Sequence, residues 1–390
     1  MNVFLFLLWI LLGYAGLGVL YGLIFSSFAF AYRKNRWQAP TANYSKIAVF
    51  IPGYMEDQVI TSTAESALNQ KYPKASYDVI VIADSFSDST LDALREMPIS
   101  IEKVSFENSS KARSLNKVLG RIEKKYDLAF VLDADNHMNE DVLDRINRAY
   151  QKGCKSIQCR RIAKNADTHT SVLDGLGEEI YNSIWRKGHV AVGLSSAISG
   201  SGMAIQYELF KECMAEIDAF SGFDKELEVQ LLVRRIHTTY LENAHVLDEK
   251  VRQNAVLQTQ RARWFASQFS AAKKFHLMGW KELLKHKNVD LFNKTVQFVL
   301  FPRILSLMVI LFILGFSLFF GLEQLIFSSC SILFLFTITM SIATPKSYYS
   351  LSTLRSFAHL PSIILALFKS VFMMKTAKSK FLNTTHEESH

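Results

Sequence analysis

Asp133 and Asp135, separated only by Ala134, follow the apolar run Leu128–Leu132. Two carboxylates so spaced, on a loop leaving a strand, can share a hard divalent cation such as Mg2+ or Mn2+ and present it to a diphosphate. Asp84 follows another short apolar run and opens Asp84-Ser85-Phe86-Ser87-Asp88-Ser89. Asp84 and Asp88 either cap the helix that follows or leave Asp84 to accept from a ring N–H of a nucleotide base. Lys111 is either a solvated charge or a partner for that base or its phosphates. Asp224, Glu226 and Glu228 sit at the start of a helix carrying Leu227, Leu231 and Leu232. Acids in a first turn favour the helix dipole, and one facing a reacting hydroxyl is a general base. Gln260-Arg261-Ala262-Arg263-Trp264 completes the set. On a helix Gln260, Arg263, Trp264 and Ser267 share a face, offering a planar cation for phosphate and a flat ring for a sugar. Taken alone, the same pair of residue types reads better as an interfacial anchor.

Elements must bring these residues together. Ile47–Ile51, Val79–Ala83, Ile99–Val104 and Leu128–Leu132 are short, rich in β-branched residues and bounded by polar turns, which predicts strands. Between them, Ser109 is placed to cap a helix whose apolar positions are Ala112, Leu115, Val118 and Leu119. Strands alternating with helices predict an α/β fold with a doubly wound, mostly parallel sheet. In such a sheet ligands bind beyond the carboxyl ends of the strands. There the chain places Pro52-Gly53-Tyr54-Met55-Glu56-Asp57, the Asp84 segment and the Asp133-Ala134-Asp135 loop. No Gly-x-Gly-x-x-Gly or Walker loop is present, which argues against a dinucleotide enzyme or a P-loop ATPase.

The flanks of this segment are of another kind. No charged residue occurs from Met1 to Tyr32, longer than the ~20 residues that span a bilayer. Apolar runs return at Ile304–Leu322 and Leu325–Ala343, with a weaker one at Phe357–Met374 that contains His359, Pro361 and Lys369. That last run either spans or lies flat at the interface. Arg33, Lys34 and Arg36 follow the first run, and Lys273, Lys274, Lys281, Lys285, Lys287, Lys294 and Arg303 precede the second. By the positive-inside rule both ends of the middle segment are cytoplasmic, and basic residues after the first run argue against a cleaved signal peptide. The expected organisation is a transmembrane helix over 1–32, a cytoplasmic domain over 33–295 with interfacial helices toward its end, a membrane region over 296–376 and a polar tail over 377–390. With 49% hydrophobic residues among 390, disorder and collagen-like structure are excluded. The four cysteines show neither C-x-x-C pairing nor zinc spacing. The net charge of +8 is concentrated beside apolar runs, and no nucleic-acid motif accompanies it. Gly18 and Gly22 form a G-x-x-x-G, which is either incidental or a dimer face.

Taken together, Ile51–Glu56, Asp84, Lys111-Ala112 to Leu115-Asn116, Asp133–Asp135, Ser199–Gly202 and Gln258-Thr259-Gln260 through Trp264 resemble the membrane-bound family 2 glycosyltransferases. The Gln-x-x-Arg-Trp element is similar to that of the processive cellulose, hyaluronan and poly-N-acetylglucosamine synthases. The resemblance implies a nucleotide-sugar-binding fold of the GT-A type, with Pro52, Tyr54, Glu56, Asp84, Lys111 and Asp133 at the nucleotide. It implies that Asp133 and Asp135 hold Mg2+ or Mn2+, and that Gln260, Arg263, Trp264, Ser201 and Gly202 serve the pyrophosphate and acceptor. Alignment to the Leu-x-Val-x-Leu pattern puts Glu226 at the base position, with Asp224 second, where the family has Asp of a T-E-D motif. Met55 stands where the family usually has Asn. The implied activity is inverting transfer from a UDP-sugar to a glycan or lipid hydroxyl at the plasma (inner) membrane. A homo-oligomer or partner subunit would complete any pore. Addition of one sugar to a lipid, and a nucleotide-sugar-binding regulatory subunit, are the rival expectations.

Overall fold

A computed structural model describes residues 2–33, 37, 42–217 and 222–379 of the chain. Lys34, Arg36, Lys380 and most of the expected polar tail lie outside the described residues. The chain divides into two compact units. One takes in Arg33–Asp167 and Leu194–Val251; the other takes in Met1–Tyr32, Thr168–Gly193 and Arg252–Met374. The segment expected as one domain over 33–295 is therefore shared, since 168–193 and 252–295 pack with the apolar helices.

The first unit is built on a sheet with eight strands among the described residues. They are β1 (Ile47–Tyr54), β2 (Tyr77–Asp84), β3 (Ser100–Val104), β4 (Leu128–Val131), β5 (His137–Met138), β6 (Ser156–Ala163), β7 (Met203–Gln206) and β8 (Thr238–Asp248). Their order is β3-β2-β1-β4-β7-β6-β8-β5. Along β1 and β2 successive side chains point to opposite faces. Ile47, Val49, Ile51, Val79 and Val81 enter one hydrophobic core, while Ala48, Phe50, Ile80 and Ile82 enter the other. Burial on both faces is why these strands read as continuous apolar runs.

Strands β1 to β4 are parallel, but the sheet as a whole is mixed. β7 pairs antiparallel with both β4 and β6, and β5 antiparallel with β8, while β6 and β8 are parallel. The expectation of a mostly parallel sheet is corrected for this half. β7 leaves the Ser199–Gly202 loop at the carboxyl edge, with Met203 opposite Val131, so it must run back. The cap of the helix Lys111–Leu119 is Ser110, not Ser109; its hydroxyl accepts from the Arg113 N–H. Ala112, Leu115, Val118 and Leu119 are buried as expected.

In the second unit, three helices are long and apolar enough to cross a membrane: Val3–Ala31, Arg303–Phe320 and Glu323–Ala343. Gly16, Gly18 and Gly22 of the first pack within the chain. A Cβ at Gly16 would lie 3.2 Å from Ile332, at Gly18 3.6 Å from Ser306 and at Gly22 3.2 Å from Thr339. The Gly18/Gly22 pair thus has an intramolecular use. Gly188 is tighter still, for a Cβ there would lie 2.0 Å from the Phe25 carbonyl oxygen. The weaker apolar run at Phe357–Met374 falls mostly on the helix Leu360–Met374, which is bent by 54° from the preceding helix Leu351–Phe357. At the break His359 stacks on His169 at 4.1 Å.

Candidate active site

The carboxyl edge of β1, β2 and β4 carries the acidic residues singled out above. β1 and β2 end in register, with Tyr54 opposite Asp84. The Met55 N–H donates to the Asp84 carbonyl at 3.1 Å. Both residues that leave these strands, Met55 (φ 54°) and Ser85 (φ 61°), are in the left-handed region, a strain that concentrates at ligand sites. Phe86, which sequence reasoning passed over, packs on Gly53, where a Cβ would lie 2.6 Å from its ring.

Asp84 is 1% exposed. One oxygen accepts from Ser85 Oγ at 3.1 Å; the other, Oδ2, is buried without a hydrogen-bond partner. The alternative of a helix cap at Asp84 or Asp88 is closed by Ser87, whose hydroxyl caps Asp88–Arg95. Asp57, another residue the sequence reading did not single out, accepts from Ser87 N at 2.9 Å and Oγ at 2.8 Å and so braces the loop.

Asp133 and Asp135 follow β4 on a loop clamped from below. Ser201 is fully buried, and its Oγ accepts from the Asp133 N–H at 2.9 Å. Gly202 N donates to Val131 O at 2.8 Å. Gly200 and Gly202 have φ of +69° and +65°, a conformation that only glycine adopts at little cost. Gln158, also fully buried, accepts from Ser199 N at 3.1 Å and donates to the carbonyls of Ser201 and Gly202 at 3.0 and 3.1 Å. Ser201 and Gly202 therefore lie under the Asp133–Asp135 loop and shape it.

Lys111 pairs with Asp133 and donates to Gly200 O at 2.7 Å. It also lies 5.5 Å from the centre of the Phe223 ring. Asn116 turns elsewhere, donating to Ile217 O at 3.1 Å. Asp224 and Glu226 stand in the first turn of the helix Phe223–Val233, and both are half-buried. The Asp224 Cβ is 3.7 Å from where a Gly200 Cβ would sit. Two positions on, Glu226 points to a different side of the helix from Asp224. Glu228 is buried and accepts from Ile198 N at 2.7 Å, a structural brace.

The donor set at the loop suits a hard cation. Asp133 and Asp135 offer only carboxylate oxygens, and among the described residues no three His, Cys, Asp or Glu side chains converge on one point. Asp133 and Asp135 would be the residues to hold such a cation, which would supply positive charge to a bound diphosphate. Behind them lies a charged pocket floor that sequence reasoning missed. With its amide oxygen accepting from Ser201 Oγ at 2.7 Å, Asn136 donates to Asp135 Oδ1 at 3.1 Å and Asp248 Oδ1 at 3.0 Å. Burial pushes the Asp248 carboxyl up, but Arg161 at 2.6 Å and the Lys250 ammonium outweigh it and hold the group well below the usual carboxylate range.

The sheet unit thus carries Pro52, Tyr54, Glu56, Asp84, Lys111, Asp133, Asp135, Ser201, Gly202, Asp224 and Glu226, whereas Gln260, Arg263 and Trp264 belong to the helical unit. They lie on the helix Asn254–His286. The Gln260 Oε1 is buried without a partner. Arg261 forms an ion pair with Asp174, and its guanidinium lies 3.7 Å from the centre of the Trp264 ring. Trp264 itself is 42% exposed.

Comparison with known proteins agrees with this arrangement. The chain is 25% identical over 281 residues to the probable glycosyltransferase YdaM of Bacillus subtilis (strain 168), covering 68% of this chain and 65% of YdaM. It is 24% identical over 148 residues to the poly(ribitol-phosphate) beta-N-acetylglucosaminyltransferase TarP of Staphylococcus aureus (strain N315), covering 37% of this chain and 42% of TarP. The chain thus spans less than two thirds of the length of either relative. In fold it is similar to the mannosyltransferase PcManGT from Pyrobaculum calidifontis, solved in complex with GDP-Man and Mn2+, with a TM-score of 0.55 at 13% identity over 95% of this chain and 100% of that one. Residues 45–267, from just before β1 to just past Trp264, match the model of glycosyltransferase-like family 2. With its strands, its Asp133–Asp135 loop and its Gln260–Trp264 stretch all inside that match, the chain belongs to this family.

Proposed function

We propose that the chain is a membrane-anchored, inverting hexosyltransferase that moves a sugar from a UDP-sugar to a hydroxyl acceptor in polysaccharide synthesis. The observation that carries this reading is the carboxyl edge of the sheet, which carries a buried, unpartnered Asp84 oxygen at the end of β2 and, across β1, the two loop carboxylates after β4. Asp84 Oδ2 accepts from the N–H of the base, and Pro52, Tyr54 and Glu56 line the same edge. Asp133 and Asp135 hold Mg2+ or Mn2+, which supplies positive charge to the leaving diphosphate. Lys111 keeps the Asp133 carboxylate and the Gly200 carbonyl in place. Glu226 takes the proton from the acceptor hydroxyl as that oxygen attacks the anomeric carbon and the UDP oxygen leaves, so no covalent sugar–enzyme intermediate forms. By resemblance, Gln260 and Arg263 serve the pyrophosphate and Trp264 the acceptor sugar. The three long apolar helices support an integral membrane protein, and the basic flanks a cytoplasmic catalytic unit in the plasma membrane.

A second reading, addition of a single sugar to a lipid acceptor, is favoured by the same helices. Three long apolar helices among the described residues are few to enclose a polymer. The test is incubation of detergent-purified protein with Mn2+ or Mg2+ and a panel of UDP-sugars, following UDP release and sizing the product. A long polymer supports synthesis; a single transferred sugar, seen only with added lipid, supports the second reading; UDP binding without turnover overturns both in favour of a regulatory role. Glu226→Gln is expected to lower kcat by 100-fold or more, and Asp224→Asn to retain most of it. The opposite pattern moves the base to Asp224.

A further inference from the structure

We infer that Asn136, anchored by Asp248, is a positioning residue that sets the orientation of the Asp135 carboxylate toward the divalent cation. This rests on the reading above that Asp133 and Asp135 hold such a cation. Asn136 is fully buried. With the amide assigned so that its NH2, and not its oxygen, faces the two carboxylates, the side chain is committed in three directions at once, accepting from Ser201 Oγ at 2.7 Å and donating to Asp135 Oδ1 at 3.1 Å and Asp248 Oδ1 at 3.0 Å. A primary amide has two N–H donors, and here each is spent on a different carboxylate.

The anchor on the far side is rigid. Asp248 ends β8, and the antiparallel pairing of His137 with Leu247 and Met138 with Val246 extends by one residue to bring Asn136 opposite it. Arg161, 2.6 Å from the same Oδ1, and Lys250, on Oδ2, also bind Asp248. Lys250 is fixed in turn, its backbone N–H donating to Asn165 Oδ1 at 2.7 Å and its carbonyl accepting from Asn165 Nδ2 at 3.1 Å. Asp248 therefore cannot follow Asn136, and Asn136 cannot follow Asp135. The hydrogen bond to Oδ1 restrains the rotation of the Asp135 carboxylate about its Cβ–Cγ bond, the terminal torsion that orients its oxygens toward a metal.

The chemistry of the residue is specific. An aspartate at 136 would put a third negative charge between Asp135 and Asp248, and serine is too short to reach both. A neutral residue with two donors and one acceptor satisfies Asp135, Asp248 and Ser201 together. Ser201 also accepts from the Asp133 N–H, so the same clasp ties the Asp133 backbone and the Asp135 carboxylate to one fixed point. Outer hydrogen-bond partners of this kind typically contribute 10- to 100-fold to metal affinity or activity.

The test compares full-length, detergent-purified wild-type protein with Asn136→Ala and Asn136→Ser. Mn2+ is titrated calorimetrically into each protein with UDP present, against a blank without protein, and thermal melting is recorded beside it. In the wild type, Mn2+ binding that requires both carboxylates supports the underlying reading; no Mn2+ binding overturns that reading and this inference with it. Given wild-type binding, the inference expects the Mn2+ dissociation constant to rise 10- to 100-fold in the variants, with the donor KM near wild type once Mn2+ saturates. Asn136→Ser, which keeps a small polar side chain in the turn, is expected to melt close to wild type. A Mn2+ dissociation constant within twofold of wild type in either folded variant overturns the inference while leaving the metal reading intact.

Discussion

At the scale of single residues, Asp84 is the most exposed to test because half of its carboxylate is unsatisfied. A buried acceptor without a donor is a cost to the folded chain that a ligand N–H can remove. Asp84→Ala is therefore expected to leave the melting temperature unchanged or slightly raised, and to weaken UDP binding by about 1.5–3 kcal/mol, roughly 10- to 100-fold. Thermal melting checks the first part and calorimetric titration of UDP the second; a structural role for Asp84 would lower the melting temperature instead. The sequence made this residue legible, because it stands directly after an apolar run. It did not make Asn136 or Asp248 legible. The two lie more than a hundred positions apart, and only the antiparallel pairing of β5 with β8 makes them neighbours. The cap expected at Ser109 falls on Ser110 for a local reason: both are serines, and either hydroxyl suits a cap.

At the scale of elements, the legible strands were those buried on both faces. β6, β7 and β8 escaped because their chemistry is interrupted: β7 has four residues, β6 carries Gln158, Arg160 and Arg161, and its pairing with β8 shifts register between Cys159 and Arg160. Helices pose a different question, that of what holds a side chain on their surface. Trp264 has one face covered by Arg261, and Arg261 is held by Asp174 on the helix His169–Tyr181. The exposed part of the ring is thus steadied from behind by a neighbouring helix. Arg261→Met, which keeps a stem against the ring but loses the ion pair and the cation–π contact, is expected to raise the acceptor KM several-fold, as about 0.5–1 kcal/mol implies. Donor binding should be unchanged; an equal loss for donor and acceptor would remove this role. Where helices cross, the tolerance is steric. Gly188→Ala forces a methyl into the Phe25 carbonyl, and is expected to cost about 3 kcal/mol or more, seen as loss of a monodisperse peak on detergent chromatography. Gly13, with nothing within 4 Å of a Cβ, is the control whose Ala variant should behave as wild type.

At the scale of the whole molecule, stability should follow pH through Asp248. Its folded value is depressed, because Arg161 and Lys250 overcome the effect of burial. The stability it contributes is therefore complete above the ordinary aspartate value of about 4 and is lost as pH falls below it. Asp248→Asn strands two buried cations and is expected to cost about 3–5 kcal/mol at neutral pH. It should also flatten the acid limb of the stability profile, measured by denaturant unfolding from pH 7 down to pH 3. An acid limb as steep as the wild type's would show that other carboxylates govern it. The division of the chain was less legible than its fold family, because an interrupted unit leaves no compositional mark: 168–193 reads as ordinary soluble sequence yet packs with the apolar helices.

The glycine seats of the first helix carry a consequence for biosynthesis. Gly16 and Gly22 close on Ile332 and Thr339, partners that emerge from the ribosome roughly 300 residues later, on the order of 15–60 s at cellular elongation rates. If the helix spans a bilayer as proposed, for that interval it would reside there with its smooth flank open to lipid or to a neighbour. The N-terminal segment is then a component awaiting assembly, and exchanging it for a generic signal anchor of equal length should still deliver the chain to the membrane but leave the bundle unassembled.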